Sequence, residues 1–367
     1  MNRWPTVSLG EICSPRQHPT LATSELLEAG FPVYGANGQI GYFNRYTHSA
    51  PTIAITCRGA TCGTINVTPP RSYITGNAMA LDALDDSKVD LVFLAYALRT
   101  RGLRDVISGS AQPQITRSPL LSVRLPLPPL NEQRRIAAIL DQADALRRKR
   151  REALALLQSA NRIMFLEMFG DPSVNNLAWP TVRLGDVGAL DRGVSKHRPR
   201  NDPALLDGPY PLIQTRELTN CDGYIRNFTS TYSEFGLRQS KLWPRGTLCI
   251  TIAANIGKTG ILTFDACFPD SVVGFAPRND VRTEFVQQWL AFVQPALERD
   301  APQFAQKNIN LAILRELTLI NPPFDLQCAF AAHVAEIDKL KARHRAHLAK
   351  LDTLFASLQH RAFRGDL

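Results

Sequence analysis

Gly257-Lys258-Thr259 has the residue types that close a phosphate-binding loop, in which a lysine and a hydroxyl follow a cradle of backbone donors. Such a loop needs an earlier glycine where this chain has Ile252, so nucleotide binding is not expected and Lys258 remains a candidate contact for a nucleic-acid phosphate. Seven cysteines are scattered along the chain, and the closest pair, Cys57 and Cys62, has no histidine or cysteine cluster to complete a zinc site. They read as reduced, mostly buried thiols. The seven histidines form no His-x-x-x-His or His-Glu pair, and no metal is expected. No Gly-x-Ser-x-Gly elbow occurs, and nothing selects a nucleophile among the serines. The chain is therefore expected to have no catalytic centre.

One tetrapeptide points the other way. Asn321-Pro322-Pro323-Phe324 resembles a motif of adenine-N6 methyltransferases, in which the asparagine and a backbone carbonyl accept hydrogen bonds from the target amino group while the aromatic ring stacks on the flipped base. Its counterpart elsewhere in the chain is Leu127-Pro128-Pro129-Leu130, which has neither the asparagine nor the ring. No glycine-rich strand-to-helix turn for S-adenosylmethionine is found, and both proline pairs sit where a long helix begins, a place that tolerates proline. A methyltransferase centred on Asn321 is kept as the enzymatic alternative.

That counterpart belongs to an internal repeat, which organises the whole chain. Trp4-Pro5-Thr6-Val7-Ser8-Leu9-Gly10 returns at an offset of 175 as Trp179-Pro180-Thr181-Val182-Arg183-Leu184-Gly185. Later the offset is 194, relating Pro128-Pro129 to Pro322-Pro323 and Gln133 to Gln327, so the second copy is longer and the excess lies in its first part. Each copy begins with a mixed globular segment, in which short β-rich runs (Ile53-Ala54-Ile55-Thr56 and Leu248-Cys249-Ile250-Thr251) are bounded by Gly, Pro and Asn turns. Each ends in a long helix, about Asn131 to Met168 and about Asp325 to Phe363, of roughly 55 Å at 1.5 Å per residue. The expected division is 1–126, 127–171, 172–321 and 322–367, two α+β globular domains each followed by a helix.

The helices carry matched stripes. The first reads Ile136, Leu140, Ala143, Arg147, Arg150, Leu154, Leu157, Asn161, Met164 and Met168; the second reads Phe330, Val334, Ile337, Lys341, His344, Leu348, Leu351, Phe355, Leu358 and Ala362. Both are apolar at the ends and basic at the same two central positions, which predicts a coiled-coil-like seam with a wet middle, antiparallel if a pseudo-two-fold axis relates the copies. The basic run Arg147-Arg148-Lys149-Arg150-Arg151 can cover a solvated face or meet DNA or a partner.

Composition sets outer bounds. Apolar content of 44% and charged content of 20% suit a globular protein, and a net charge of +9 suits an acidic polymer as partner. No window of about 18 uninterrupted apolar residues suggests a membrane span, and Met1-Asn2-Arg3-Trp4-Pro5 does not resemble a signal peptide, so a cytoplasmic location is expected.

Taken together, these residues resemble the specificity subunit of Type I restriction-modification systems. The resemblance is carried by the two Trp-Pro-x-Val-x-Leu-Gly openings, by Leu125-Pro126-Leu127-Pro128-Pro129-Leu130-Asn131-Glu132-Gln133-Arg134-Arg135-Ile136, by Phe165-Leu166-Glu167-Met168-Phe169-Gly170-Asp171-Pro172 and by Ala362-Phe363-Arg364-Gly365-Asp366-Leu367. Tyr34 to Gly41, Arg58 to Gly63 and Tyr210 to Glu217 resemble segments of known recognition domains. In the second copy Leu326 and Cys328 replace the Glu and Arg of the first, a departure from equal helix contacts. The resemblance implies a non-catalytic subunit that binds double-stranded DNA, two methyltransferase subunits and, in a restricting system, two motor-nuclease subunits. It implies S-adenosylmethionine only on the methyltransferases. A coiled-coil DNA-binding protein without a methylase partner is the other alternative.

Two unlike recognition domains predict a split, asymmetric target read by side-chain donors and acceptors in the major groove, with basic residues on phosphates. The candidate readers are exposed polar residues in Gly- or Pro-flanked loops: Asn37, Gln39, Arg58, Gln114, Thr116 and Arg117 in the first domain. In the second they are Gln214, Thr215, Arg216, Lys258, Lys307, Asn308 and Asn310. Gln114-Ile115-Thr116 and Asn308-Ile309-Asn310 are repeat partners, which suggests a shared role.

Overall fold

The computed structural model describes residues 4–109, 111–253, 255–300 and 310–367. The chain divides into two compact units, Met1–Arg151 with Ala346–Leu367, and Glu152–Arg345. Each is built from one globular segment together with a part of each long helix.

The first unit contains β1 (Thr6–Ser8), β2 (Ser14–Gln17), β3 (Phe31–Gly35), β4 (Gly38–Phe43), β5 (Ile53–Thr56), β6 (Ile65–Val67), β7 (Tyr73–Ile74), β8 (Ala78–Asp82), α1 (Leu91–Arg101), α2 (Arg117–Leu121) and β9 (Arg124–Pro126), followed by α3 (Leu130–Phe169). The second contains β10 (Thr181–Arg183), β11 (Gly188–Arg192), β12 (Leu206–Leu212), α4 (Thr215–Asn220), β13 (Tyr224–Ile225), β14 (Ser230–Tyr232), α5 (Glu234–Arg238), β15 (Leu242–Trp243), β16 (Leu248–Thr251), β17 (Thr259–Leu262), β18 (Ala266–Cys267), β19 (Val272–Pro277), α6 (Thr283–Asp300), α7 (Leu311–Glu316) and β20 (Thr318–Ile320), followed by α8 (Phe324–Arg364).

The repeat in the sequence is a repeat in topology. The main sheet runs β2-β8-β5-β6 in the first unit and β11-β19-β16-β17 in the second, antiparallel throughout, with β13 added parallel to β17. The smaller sheet is β4-β3-β7 in one and β14-β12-β18-β15 in the other. The Trp-Pro openings lead into β1 and β10, which pair with the strands before the proline pairs, Thr6 opposite Pro126 and Thr181 opposite Ile320.

The apolar runs that mark the strands are buried on both faces. Along β5, Ile53 and Ile55 face the core that holds Phe93 and Leu98 of α1, while Ala54 faces a second cluster with Ile74, Ala78 and Ala80. Along β16, Leu248 and Ile250 join the core with Phe285 and Trp289 of α6, and Cys249 faces the cluster with Trp243 and Phe268. The period of two along a strand assigns these residues to their faces. An unbroken apolar run is the pattern expected of a central strand covered on both sides.

The excess length of the second copy lies mainly between β12 and β14. Where the first unit turns from β3 to β4 through Ala36-Asn37, the second inserts 213–229, which holds α4 and β13. The main sheet is kept while this connection changes.

The helices begin and end as the sequence suggests. Gly170 (φ +73°) and Gly365 (φ +82°) adopt the left-handed conformation just past the last turns, where a side chain would be strained. The Gly170 N–H bonds back to Leu166 O at 3.0 Å, and the Asp366 N–H to Arg361 O at 2.9 Å. Within each unit the helices run antiparallel. In the first, Arg147 reaches Asp352 (2.6 Å) and Arg135 reaches the Leu367 carbonyl (2.5 Å). In the second, Phe165 and Phe169 pack on Phe330, with ring centroids at 5.5 and 5.6 Å.

The stripes do more than form a seam. Their apolar ends are absorbed into the core of a globular segment: Ile136, Leu140, Phe355, Leu358 and Ala362 with α1, and Met164, Phe165, Phe330 and Val334 with α6. Leu154, Leu157, Ile337, Leu348 and Leu351 are half-buried. The expected wet middle is corrected in part. Lys341 is 3% exposed and held by Asp222 of its own unit at 3.0 Å. Arg147 lies 4.2 Å above the Phe355 ring between Asp144 and Asp352. In the basic run, Arg148 and Arg151 also have carboxylate partners.

Gln133 and Gln327 each occupy a fully buried position at the start of a long helix. Gln133 Nε2 donates to Lys88 O and Pro128 O, both at 2.8 Å, and its Oε1 accepts from Asp90 N at 2.9 Å. Gln327 donates to Pro322 O (3.0 Å) and accepts from Arg282 N (3.1 Å). The glutamine therefore fastens each long helix to the segment that leads into α1 or α6. The Asn321 N–H donates to Pro180 O at 2.7 Å, as the Leu127 N–H does to Pro5 O at 2.8 Å. The Asn-Pro-Pro-Phe segment is thus the same strand-to-helix corner in the second copy as Leu-Pro-Pro-Leu in the first.

Candidate nucleic-acid interface

In the first unit three loops converge. The β3–β4 turn carries exposed Asn37, and exposed Gln39 follows on β4. The loop after β5 carries exposed Arg58, whose neighbour Thr61 donates its hydroxyl to Ala36 O and so ties this loop to the turn. The third loop reaches Arg58 through an isolated bridge to Gln114, reinforced by Gly59 N–H to Pro113 O at 3.1 Å. Asn37, Gln39, Arg58 and Gln114 thus come from separate stretches of chain to connected loops. Arg58 has no ion-pair partner among the described residues.

Arg117 does not join them as a free reader. Its Nε donates to Pro15 O at 2.9 Å and its Nη2 to Ser14 Oγ at 3.2 Å, which pins α2 to β2. Thr116 is the exposed N-cap residue of α2.

In the second unit Gln214 and Arg216 are exposed and Thr215 is half-buried, all at the start of α4. Gln214 N–H is capped by Glu217 at 3.0 Å. Lys258 is exposed at the end of the β16–β17 loop, which is joined to α4 by Asn255 Nδ2 donating to Thr219 Oγ1 at 3.2 Å. Thr251 holds this loop in the register that Thr56 keeps in the first unit: Gly257 N–H bonds to Thr251 O at 2.9 Å and Gly63 N–H to Thr56 O at 2.8 Å. Arg216 lines a cleft of about 480 Å³ with Arg226, Arg345, Asp222 and Phe228. Arg226 and Arg345 were not among the sequence candidates. They stand at the cleft because Asp338 and Asp222 pair with them, which local spacing does not reveal.

Asn310 caps α7, its Oδ1 accepting from Ile313 N at 2.9 Å. The role it shares with Thr116 is the N-cap position of a short helix, and its side-chain acceptor is used there. Lys307 and Asn308 lie outside the described residues.

Four buried thiols and the half-buried Cys221 are poised to stay protonated: burial raises Cys13 to about 12 and also raises Cys57, Cys221, Cys249 and Cys267. Among the described residues no helix is long and apolar enough to cross a membrane.

The β3–β4 and β12–β14 connections are the topological equivalents in which the two units differ most, and they carry Asn37 on one side and Gln214 to Arg216 on the other. Known proteins share the fold. The Type I restriction modification DNA specificity domain matches residues 1–156 and again 176–351. The specificity subunit of the Type I restriction enzyme EcoprrI from Escherichia coli is 29% identical over 144 residues, which span 38% of this chain and 35% of that one. The crystal structure of the Type I restriction-modification S subunit from M. genitalium aligns over 99% of this chain and 96% of its own, at 18% identity and a TM-score of 0.69. A chain from a structure addressing complex assembly and conformational transition of the type I restriction-modification system aligns over 99% and 98%, at 19% identity and a TM-score of 0.51. With the specificity domain matched twice, once in each repeat, the chain belongs to the specificity-subunit family of Type I restriction-modification systems.

Proposed function

We propose that this chain reads a bipartite, asymmetric DNA target, one half-site per globular segment, and docks two adenine-N6 methyltransferase subunits, with two motor-nuclease subunits joining where the system restricts. The observation that carries the reading is one sheet frame built twice with different connections inserted at the same point. A shared frame gives equivalent placement on DNA, and unlike connections give unlike half-sites. S-adenosylmethionine belongs to the partner methyltransferases in this reading. The chain itself supplies base selection, phosphate contacts and a scaffold, and acts in the cytoplasm beside the chromosome.

Base contacts fall to Asn37, Gln39, Arg58 and Gln114 in the first segment and to Gln214, Thr215 and Arg216 in the second, with Lys258 on a phosphate. Arginine suits guanine, and asparagine or glutamine suits adenine. Arg58→Ala is expected to cost about 1–3 kcal/mol of discrimination at one base pair and to leave the other half-site unchanged. Equal relaxation of both halves would count against one reader per half-site.

The test of the whole reading is an adenine-methylation map in a methylation-free host that expresses this chain with the methyltransferase from the neighbouring gene. A single split motif with two unlike halves is expected. A continuous motif, or the same methylation without this chain, would overturn it. S-adenosylmethionine binding by the chain alone would favour the methyltransferase alternative instead.

A further inference from the structure

We propose that His18, His48 and Asp82 form a binding site for a divalent transition-metal ion of the zinc type in the first globular segment. The three side chains come from different stretches: the residue after β2, the loop before β5 and the end of β8. His18 Nε2 lies 3.0 Å from Asp82 Oδ2 and His48 Nε2 lies 2.8 Å from Asp82 Oδ1. One ligand atom from each lies within 4.8 Å of the others. Around an ion with bonds of about 2.0 Å, tetrahedral ligand atoms stand about 3.3 Å apart. The two histidines contact different oxygens of Asp82, so an ion on one oxygen needs that imidazole–carboxylate separation to open by a few tenths of an ångström and the other imidazole to close on the ion. The side chains are sheltered, at 18%, 12% and 21% exposure, yet they line a cleft of about 600 Å³ through which an ion and a water ligand can enter. Asp86 and Asp90 on the same cleft favour a cation, while Arg134 opposes it.

The outer shell suits either occupant of the space between the imidazoles and the carboxylate. Thr47 Oγ1 lies 2.7 Å from His48 Nδ1, accepts from Ile74 N at 3.0 Å and stands 3.3 Å from Ser72 O. With its hydroxyl proton on His48 Nδ1, His48 Nε2–H donates to Asp82. With that proton turned to Ser72 O, Thr47 accepts from Nδ1–H and the Nε2 lone pair is free for a metal. A hydrogen-bond acceptor on the far nitrogen is the usual way a metal-binding histidine is oriented. Two neutral imidazoles and one carboxylate leave an open position for water, and the bound ion would cross-link three segments of the first unit. Among the described residues no equivalent cluster occurs in the second unit.

The full-length chain, stripped with chelator and titrated with Zn²⁺ or Co²⁺, is expected to retain one equivalent through gel filtration and to unfold at a higher temperature. Co²⁺ is expected to give visible bands of a four- or five-coordinate site without a thiolate charge-transfer band. His48→Gln and Asp82→Asn should lose the ion, and Cys57→Ser should keep it. X-ray absorption on the wild-type zinc protein reads the ligands independently of how the variants fold: nitrogen and oxygen neighbours with imidazole scattering support the site. A sulfur shell, no retained metal in the wild type, or undiminished retention in the His48 and Asp82 variants would each overturn it.

Discussion

Asp222→Ala is expected to destabilise the second unit by about 3 kcal/mol. Lys341 Nζ is 3.0 Å from this carboxylate and 3% exposed, so removing the partner strands an ammonium that cannot reach water without moving α8. The figure is at the low end for a broken buried pair because the Asp222 side chain is itself 32% exposed and shared with Arg345. Lys341→Met alone should cost little, since the carboxylate keeps Arg345 and the methionine fills the same volume. The double variant should recover most of the loss, because it leaves no buried charge without its partner. Urea unfolding followed by tryptophan fluorescence reports this unit, which holds Trp179, Trp243 and Trp289. If Asp222→Ala were as stable as wild type, Lys341 would have an alternative route to solvent and the pair would not hold the helix.

The long helices were legible in the sequence almost to the residue. Their stripe, the preceding proline pair and the terminal glycine are local signals, and helix formation follows local signals when the apolar face also finds a core. The repeat was equally plain, because Trp-Pro-Thr-Val and Pro-Pro mark the two strands that close each globular segment. The stripe's meaning was less plain. Apolar periodicity records that a face is buried without recording what covers it, so Ile136 and Phe355 could not announce that they share a core with α1. Likewise the basic centre of the stripe predicted solvent, whereas Asp222, far away in sequence, fills that space for Lys341.

The candidate interface divides along the same line. Asn37, Gln39 and Arg58 sit on or beside turns that glycine neighbours betray, and the structure leaves them exposed. Arg117 looks identical from sequence, yet its guanidinium is taken by backbone and hydroxyl groups of β2, a partnership over 102 and 103 residues that no spacing encodes. Asn310 is a cap, a reading available from the helix that follows it. The His18–His48–Asp82 cluster was invisible because its contacts with Asp82 span 64 and 34 residues, and a search for metal ligands at helical or loop spacing passes over it.

Gln133→Leu is expected to cost the first unit about 3 kcal/mol, since each buried polar group left without a partner costs about 1–3 kcal/mol. The side chain makes three hydrogen bonds at 0% exposure, and leucine fills the volume while leaving the Lys88 and Pro128 carbonyls and the Asp90 N–H to be satisfied elsewhere. The loss should be local. Asp90 is the N-cap of α1, its Oδ1 accepting from Phe93 N at 2.9 Å, so loosening its backbone frays the helix that packs on α3. Amide exchange in α1 should therefore accelerate while that in α6 stays unchanged. Gln327→Leu should produce the mirror result in α6 with a smaller loss, because Gln327 makes two such bonds, to Pro322 O and from Arg282 N. Equal acceleration in both units from either variant would mean that the glutamines serve a single cooperative structure instead of two separately fastened ones. No acceleration would mean that the first turn of each long helix is held by its apolar contacts alone.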